Sequence, residues 1–518
     1  MKRLLYILFA SSLMLTTACE SKLDIDEHGV LPTDKFYSND AEIESANLSL
    51  YYQLRSMEYT FMIEQQLLSD NFWAGGGVRG DNPILEKTNE FTFDGENDYI
   101  NSIFSNLYRL NFYANTILEK VSEENASAVA RRARAEAKAF IGYAYFYLTA
   151  YWGTPPLIDH CLSADEYWQP NCDQATLWAY CEKNLTEAIN SGDLVEKTDL
   201  HDNETWRITK QTAQAILGKV YMWQGRYSEA AAQFEAVRKS NKYALFTEDD
   251  YGNMNMMAHK HNVESMLEVN RSYDTANPGY SFTLTFCTTN WRVDKMNGHL
   301  AWGINYLGWG FMGPQKGLYD AFVARDGDND YRRKQTLKSF DELAEMGIHI
   351  NDGEDIPSDG VFMWKTRSLS ESLINSPFAD ARNIRYMRYT EVLFCDAECL
   401  LQSGDKATAL SIVNEIRARS FLPALTDLTM DDIKIEKRLE CVDDWTRFMD
   451  LVRWGDAYEV LKDQGAYMPF CNYKGVVTHR TFNNDPSQFG FKKGKHELLP
   501  FPSSEIRTNP NIKQNPGY

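Results

Sequence analysis

The sequence lacks the short motifs that mark the commoner hydrolases. Neither HExxH nor GxSxG occurs in its 518 residues, so a helix-borne zinc pair and a serine elbow are both excluded as motifs. None of the nine cysteines forms a CxxC pair, which removes the usual zinc-ribbon and thioredoxin-like patterns. Cys395 and Cys399 stand one helical turn apart inside an apolar run and read as small core residues. No metal, no cofactor and no essential disulfide is expected among Cys161, Cys172, Cys181, Cys287, Cys395, Cys399, Cys441 and Cys471. Basic charge is also scarce, with 53 Lys and Arg against 73 Asp and Glu and a formal charge of -20. Such a surface repels phosphate backbones, so nucleic acid is excluded as an electrostatic partner.

Long apolar runs are missing too, and what stands at the start is a leader. Met1-Lys2-Arg3 is followed by an apolar run from Leu4 to Leu15 and then Thr16-Thr17-Ala18-Cys19. A basic start, a short apolar core and small residues before a cleavage point define a secretory signal, and the run falls short of the roughly 20 residues that span a bilayer. Residues 1–18 are therefore expected to be removed, and Cys19 to become a lipidated N-terminus, although Thr16 stands where such boxes usually carry leucine. Two or more acyl chains anchor firmly, because each buried methylene contributes about 0.8 kcal/mol. Residues 19–30 form a polar tether, and loss of Lys2 and Arg3 leaves 51 basic residues against 73 acidic ones, a charge of -22.

The clearest internal pattern is a repeated helix pair. Leu217, Gly218, Tyr221, Gly225, Tyr227, Ala230, Phe234 and Val237 fall where a tetratricopeptide repeat places its packing faces. Ala397, Leu400, Gly404, Ala409, Val413 and Ile416 repeat the pattern at a constant offset of 179 residues, so one scaffold is interrupted by a long insertion. Helical spacing over Leu107 to Val121, Ala133 to Trp152 and Ala175 to Ile189 raises the expected total to about four helix pairs. The fold class predicted is mainly α. A helical scaffold is expected over 31–258 and 386–465, with an irregular, Gly-, Asn- and aromatic-rich insertion over 259–385 and a loop-rich tail over 466–518.

Several stretches in order along the chain resemble the SusD/RagB family of outer-membrane nutrient-binding lipoproteins. They are Leu31-Pro32-Thr33-Asp34-Lys35-Phe36-Tyr37, Ala135 to Phe140, Tyr151-Trp152-Gly153-Thr154-Pro155-Pro156-Leu157, Ile208-Thr209-Lys210, Arg388-Tyr389-Thr390-Glu391-Val392, Asp450 to Gly455, and Gln514-Asn515-Pro516-Gly517-Tyr518. One departure is Asp443-Asp444, where the family commonly has Glu-Gly, at a position read as scaffold. The resemblance implies a non-catalytic surface protein that captures a glycan or peptide and sits on a SusC-like TonB-dependent transporter. It further implies an aromatic ligand platform carried by the irregular region.

Sugar rings offer flat C–H faces edged by hydroxyls, which suit aromatic stacking plus amides and arginines at the rim. The candidates for that task are Trp291, Trp302, Tyr306 and Trp309 in the insertion, and Asn71, Trp73 and Arg79 around the glycine-rich turn Gly75-Gly76-Gly77. A core ring beneath the loops is the competing reading for each tryptophan, since large aromatics are mostly buried. Gly75, Gly77 and Gly80 also spell GxGxxG, but neither a strand-borne turn nor a following helix frames them as a nucleotide loop requires. Asp326, Asp328 and Asp330 open like a calcium loop, yet Tyr331 and Leu337 occupy its glycine and glutamate positions, which favours a solvated acidic turn. His259 and His261 have no further ligand nearby and read as exposed histidines. Trp152, Trp178, Trp223, Trp445 and Trp454 are assigned to the scaffold. The alternatives left open are a glycoside hydrolase, which needs two facing carboxylates, and a pure peptide-binding scaffold.

Overall fold

The computed structural model describes residues 36–197, 204–272, 291–305, 307–327, 331–376, 379–482 and 484–518. Cys19, Cys287, Tyr306, Asp328 and Asp330 lie outside those residues.

Most of the chain is helical, and eight long helices form the frame: α1 (Asp40–Leu67), α2 (Asp98–Lys120), α3 (Ala128–Trp152), α4 (Gln174–Ser191), α5 (Lys210–Trp223), α6 (Tyr227–Lys239), α7 (Tyr389–Ser403) and α8 (Lys406–Arg419). Each start has a local cause. Asn39, Asn97, Ser127, Asp173, Thr209 and Asp405 accept hydrogen bonds from backbone N–H groups of the first turn of α1, α2, α3, α4, α5 and α8, satisfying donors that have no intrahelical partner. Gly192 and Gly404 end α4 and α7 in the left-handed conformation that a side chain disfavours.

From α2 to α8 each helix packs against the next, and α6 meets α7 directly although some 150 residues separate them in sequence. The tetratricopeptide-like reading of the frame therefore holds. Within the first repeat Gly218 lies against Phe234, where a Cβ would stand 2.5 Å from the ring. The corresponding pair in the second repeat is Ala397 and Val413, both fully buried. Small faces large in each case, with the volume divided differently. Gly225 and Gly404 occupy the same place in the two repeats and both have positive φ, +70° and +95°.

Between α6 and α7 the regular periodicity stops, and a smaller lobe builds its own core from Trp291, Val293, Met296, Ile304, Leu343, Ile348, Ile350, Ile356, Phe362 and Trp364. Cys471 from the tail completes that core. The elements are short strand pairs and brief helices, the longest of them Lys316–Asp326. The tail is more regular than its composition suggests. Tyr467–Asn472 pairs antiparallel with Val477–Thr481, and the first of these strands also pairs with Asp355–Ile356 of the lobe.

A buried ionic seam joins lobe to frame. Arg388 bonds Glu264 (2.8 Å), Asp444 (2.6 Å) and Glu440 (3.2 Å), while Arg332 bonds Asp326 (3.0 Å) and Glu436 (3.1 Å). Asp443 holds Lys365 at 2.8 Å. Asp443 and Asp444 are structural, in line with the scaffold reading: Asp444 pairs with Arg388 inside the frame, and Asp443 ties the frame to Lys365 of the lobe. Burial alone would raise the Glu440 carboxyl, yet the guanidiniums of Arg419 and Arg388 outweigh it and hold the group at about 2. Asp326, expected in a solvated acidic turn, instead has a buried side chain and spends its carboxylate on Arg332 and Arg417.

The C-terminus closes the frame. Asn515 donates to the carbonyls of Trp152 and Leu499, and Trp152 Nε1 donates to Pro500 at 2.8 Å. Two of the family-like stretches, around Trp152 and at the chain end, are therefore in contact. Among the described residues no helix is long and apolar enough to cross a membrane.

Candidate functional site

The turn after α1 and the insertion meet as a two-stranded sheet. Phe72–Gly75 pairs antiparallel with Phe311–Pro314, with Trp73 opposite Gly313. The glycines serve this close approach. A Cβ on Gly75 would stand 2.1 Å from the Gly310 carbonyl oxygen, and one on Gly77 would stand 2.4 Å from the Arg292 guanidinium. Contrary to the expectation, a strand (Phe72–Gly75) does precede the GxGxxG spelling and a helix (Pro83–Asn89) does follow it, but the Gly77 and Gly80 N–H groups are already donated to Asp81 and Glu86 rather than left for a phosphate.

The predicted ligand residues divide by exposure. Trp291 is 1% exposed, donates Nε1 to the Met363 carbonyl at 3.2 Å and lies within the lobe core, so it has no face to offer a ligand. Asn71 is likewise buried, its side-chain oxygen accepting from Arg438 Nε at 2.9 Å, which makes it a tie between loop and frame. Trp73 is 6% exposed; Nε1 donates to Asp359 at 2.6 Å and its ring packs 5.0 Å from Tyr467. These three were expected at the ligand, and burial corrects that expectation: each is spent on the protein. Trp309 is partly buried against the main core and bridges Arg292. Tyr306 falls outside the described residues.

Arg79 and Trp302 remain accessible. Arg79 forms ion pairs with Glu86 and Glu90 and lies 3.9 Å over the Phe482 ring, with 43% of its side chain exposed. Trp302 is 47% exposed beside Leu300 at the end of a short 3-10 turn, and donates Nε1 to the Met346 carbonyl at 3.0 Å. That turn is pinned by Gly298, where a Cβ would stand 1.9 Å from the Gly347 oxygen. Beneath it Trp302 meets Trp364 edge to face.

The structure adds residues the sequence reading missed, and all come from the tail hairpin. Tyr467 and His479 stack with centroids 4.0 Å apart and planes 16° from parallel. Phe482 follows, joined to Arg79. Tyr467 and Phe482, with Trp73 and Arg79, border a shallow cleft of about 20 Å³. Trp73 and Asp359 support this shelf from below, since Asp359 accepts from Trp73 Nε1 and from the Lys316 N–H at 2.9 Å and lies 3.5 Å from His479 Nε2. Burial, then the nearby Asp359 charge, pushes the Tyr467 phenol up. The alternating run from Tyr467 to Cys471, followed by Asn472-Tyr473-Lys474-Gly475 and Val476-Val477-Thr478, is a hairpin signal that could have found the shelf.

The shelf carboxylates are engaged: Glu86 and Glu90 by Arg79, Asp359 by Trp73 Nε1 and the Lys316 N–H. His259 contacts Asp249, and His261 contacts Asn270 and Asn383. Among the described residues no group of three or more His, Cys, Asp and Glu side chains is placed to hold a metal. The seven described cysteines carry free thiols, and burial pushes the Cys471 thiol up to about 12.

A helix-repeat frame bearing a loop-built aromatic surface defines a class of binding scaffold, and the comparisons give its family. A sequence model of the SusD family matches residues 350–518, and one described as starch-binding, associating with the outer membrane, matches residues 23–222. SusD-like protein P2 of Formosa agariphila is 23% identical over 98% of both chains, and a SusD-like protein of Bacteroides ovatus is 22% identical over 100% of this chain and 98% of that one. Among solved structures, a laminarin-binding SusD-like protein superposes with a TM-score of 0.76 at 27% identity, covering 93% of this chain and all of the other. Surface glycan-binding protein A from Bacteroides thetaiotaomicron, in complex with laminarihexaose, gives 0.70 at 21% identity over 92% and 99%. The chain belongs to the SusD-like family, and that family is associated with the outer membrane.

Proposed function

We propose that this chain captures a glycan outside the cell, without catalysis, and passes it to a SusC-like TonB-dependent transporter, held at the outer membrane by lipid on Cys19. The observation that carries the reading is aromatic side chains that reach the surface from loop-built segments, Trp302 at 47% exposure foremost. Trp302 is one exposed ring, and the Tyr467–His479 stack, with Phe482 and Arg79 nearby, is a separate partly exposed group. Flat rings bordered by a guanidinium and an imidazole suit sugar faces and hydroxyl edges. The named ligands of two relatives, laminarin and laminarihexaose, support a glycan as the cargo. The engaged state of the shelf carboxylates supports binding over hydrolysis, which would need one carboxyl free to donate a proton. In this reading residues 259–385, with the tail hairpin, carry the ligand surface, and 31–258 with 386–465 form the frame.

Calorimetry against a panel of neutral oligosaccharides, laminarihexaose included, tests the reading. We expect binding that Trp302→Ala weakens at least fivefold and that His479→Ala with Phe482→Ala weakens further, each variant retaining the helical circular dichroism of the folded protein. Release of shorter products from labelled oligosaccharide, lost on substitution of one carboxylate, would overturn it in favour of a hydrolase.

A further inference from the structure

A second cleft lies on the frame, at the N-terminal half of α1 and away from the shelf. It is lined by Leu48, Tyr51, Tyr52, Arg55, Trp206 and Asn270 among others and encloses about 240 Å³, a little below the roughly 300–1,000 Å³ of most small-molecule sites and so sized for a short ligand segment. Tyr52 is 68% exposed, unusual for a tyrosine on a helix whose neighbours are mostly buried. Trp206 is fixed rather than loose: Tyr51 meets it edge-on at 4.5 Å, and Arg207 lies 4.4 Å over its ring. Tyr51 is itself held, donating to Glu136 at 2.7 Å and accepting from the Ile208 N–H at 3.0 Å. The cleft therefore has rigid aromatic walls.

Its charge is uneven. Glu268 on one wall is neutralised by Arg385 at 3.3 Å. Arg271 behind the wall is paired with Glu58, and Arg207 with Glu44, Glu136 and Glu204. Arg55 has no ion pair or hydrogen bond among the described residues, a condition shared there only by the exposed Arg109. In a chain of net charge -20 a partly buried arginine without a carboxylate is conspicuous, because acidic side chains are in excess. Asn270 gives its amide oxygen to His261 and leaves its N–H groups without a partner among the described residues.

We propose that this cleft is a second carbohydrate subsite that takes a sugar bearing an anionic substituent, a carboxylate or a sulfate. Arg55 binds the charge through its planar fork, Tyr52 and Trp206 take the ring face, and Asn270 donates to a hydroxyl. The inference rests on the glycan-capture reading but adds a place and a charge class to it. The full chain, with Arg55→Gln, Arg55→Lys and Tyr52→Ala beside it, would be titrated calorimetrically with a galacturonate hexasaccharide, a sulfated galactan hexasaccharide and laminarihexaose. Expected is binding of at least one acidic probe, the uronate or sulfate arm identifying the substituent, that Arg55→Gln weakens tenfold or more, about 1.4 kcal/mol. Arg55→Lys should retain part of it, the salt dependence should flatten in Arg55→Gln, and laminarihexaose should bind unchanged. Acidic binding indifferent to Arg55, or neutral binding with no acidic binding, overturns the proposal and leaves the capture reading standing. Failure of all three probes counts against both. Arg55-dependent binding of phosphatidylglycerol vesicles without any acidic glycan response also overturns it.

Discussion

The repeat frame and the lobe between α6 and α7 reach stability by different routes. In the frame, helices interlock through small-to-large pairs such as Gly218 with Phe234, and long helices bury wide apolar faces. The lobe has short elements and a modest core, and relies on tryptophans that find backbone carbonyls, on glycines that permit crowding, and on an ionic seam to the frame. Regular helices satisfy their own backbone groups, whereas irregular chain must find partners one by one, and those partners are side chains. The exposed rings of the shelf sit on the region built in the second way, where loop geometry can vary without disturbing the frame.

The comparison can be broken at the seam first. Asp444→Ala leaves Arg388 partly uncompensated in the interior, and we expect about 3–5 kcal/mol lost in denaturant unfolding. Asp443→Ala, which removes the partner of Lys365 in the lobe, should in turn separate the unfolding of lobe and frame into two transitions.

Next is a pH effect within the frame. Burial raises the Glu64 carboxyl in α1 to about 8, with one bond from Thr88 opposing the shift, and its second oxygen has no partner. The folded group holds its proton near neutrality while the unfolded one does not, so stability attributable to Glu64 is present at low pH and is lost as pH rises from about 4.5 to about 8. The slope is about 1.4 kcal/mol per pH unit. Between pH 6.5 and 8 the difference in unfolding free energy between the protein and Glu64→Gln should widen by up to about 2 kcal/mol, and a flat difference would contradict the assignment.

Smaller effects separate the packing modes. Gly218→Ala overpacks against Phe234 and should cost about 1–3 kcal/mol, whereas the double change with Phe234→Val, which reproduces the Ala397–Val413 arrangement, should cost less than the sum of the two single changes. In the lobe, Trp73→Phe removes the donor to Asp359 and should cost about 1–3 kcal/mol by leaving a buried acceptor short of one bond. It should also loosen the Tyr467–His479 stack, which ring-current shifts of His479 would report. The smallest expected effect is Arg507→Ala, which breaks an exposed pair with Glu96 and should leave the melting temperature within a degree.

Legibility followed the same division. Helical spacing and the 179-residue offset disclosed the repeats, because those signals are periodic. The longest described helix, α1, was harder to read, since its buried face includes Gln53, Glu58, Glu64, Gln65 and Gln66, whose partners are remote in sequence. Among the site residues, composition picked out the right segments but not the right side chains. Trp73 and Trp291 look like platform rings and are buried, while Tyr467 and His479 look like tail and form the stack.

What the chain determined alone was periodicity and net charge, which depend on residues close together or on sums over the whole. Which rings meet water was decided only by the tertiary fold. A tryptophan in a glycine-rich turn is exposed or sealed according to what packs on it, and for Trp73 that is an aspartate 286 residues away and a strand from the far end of the protein.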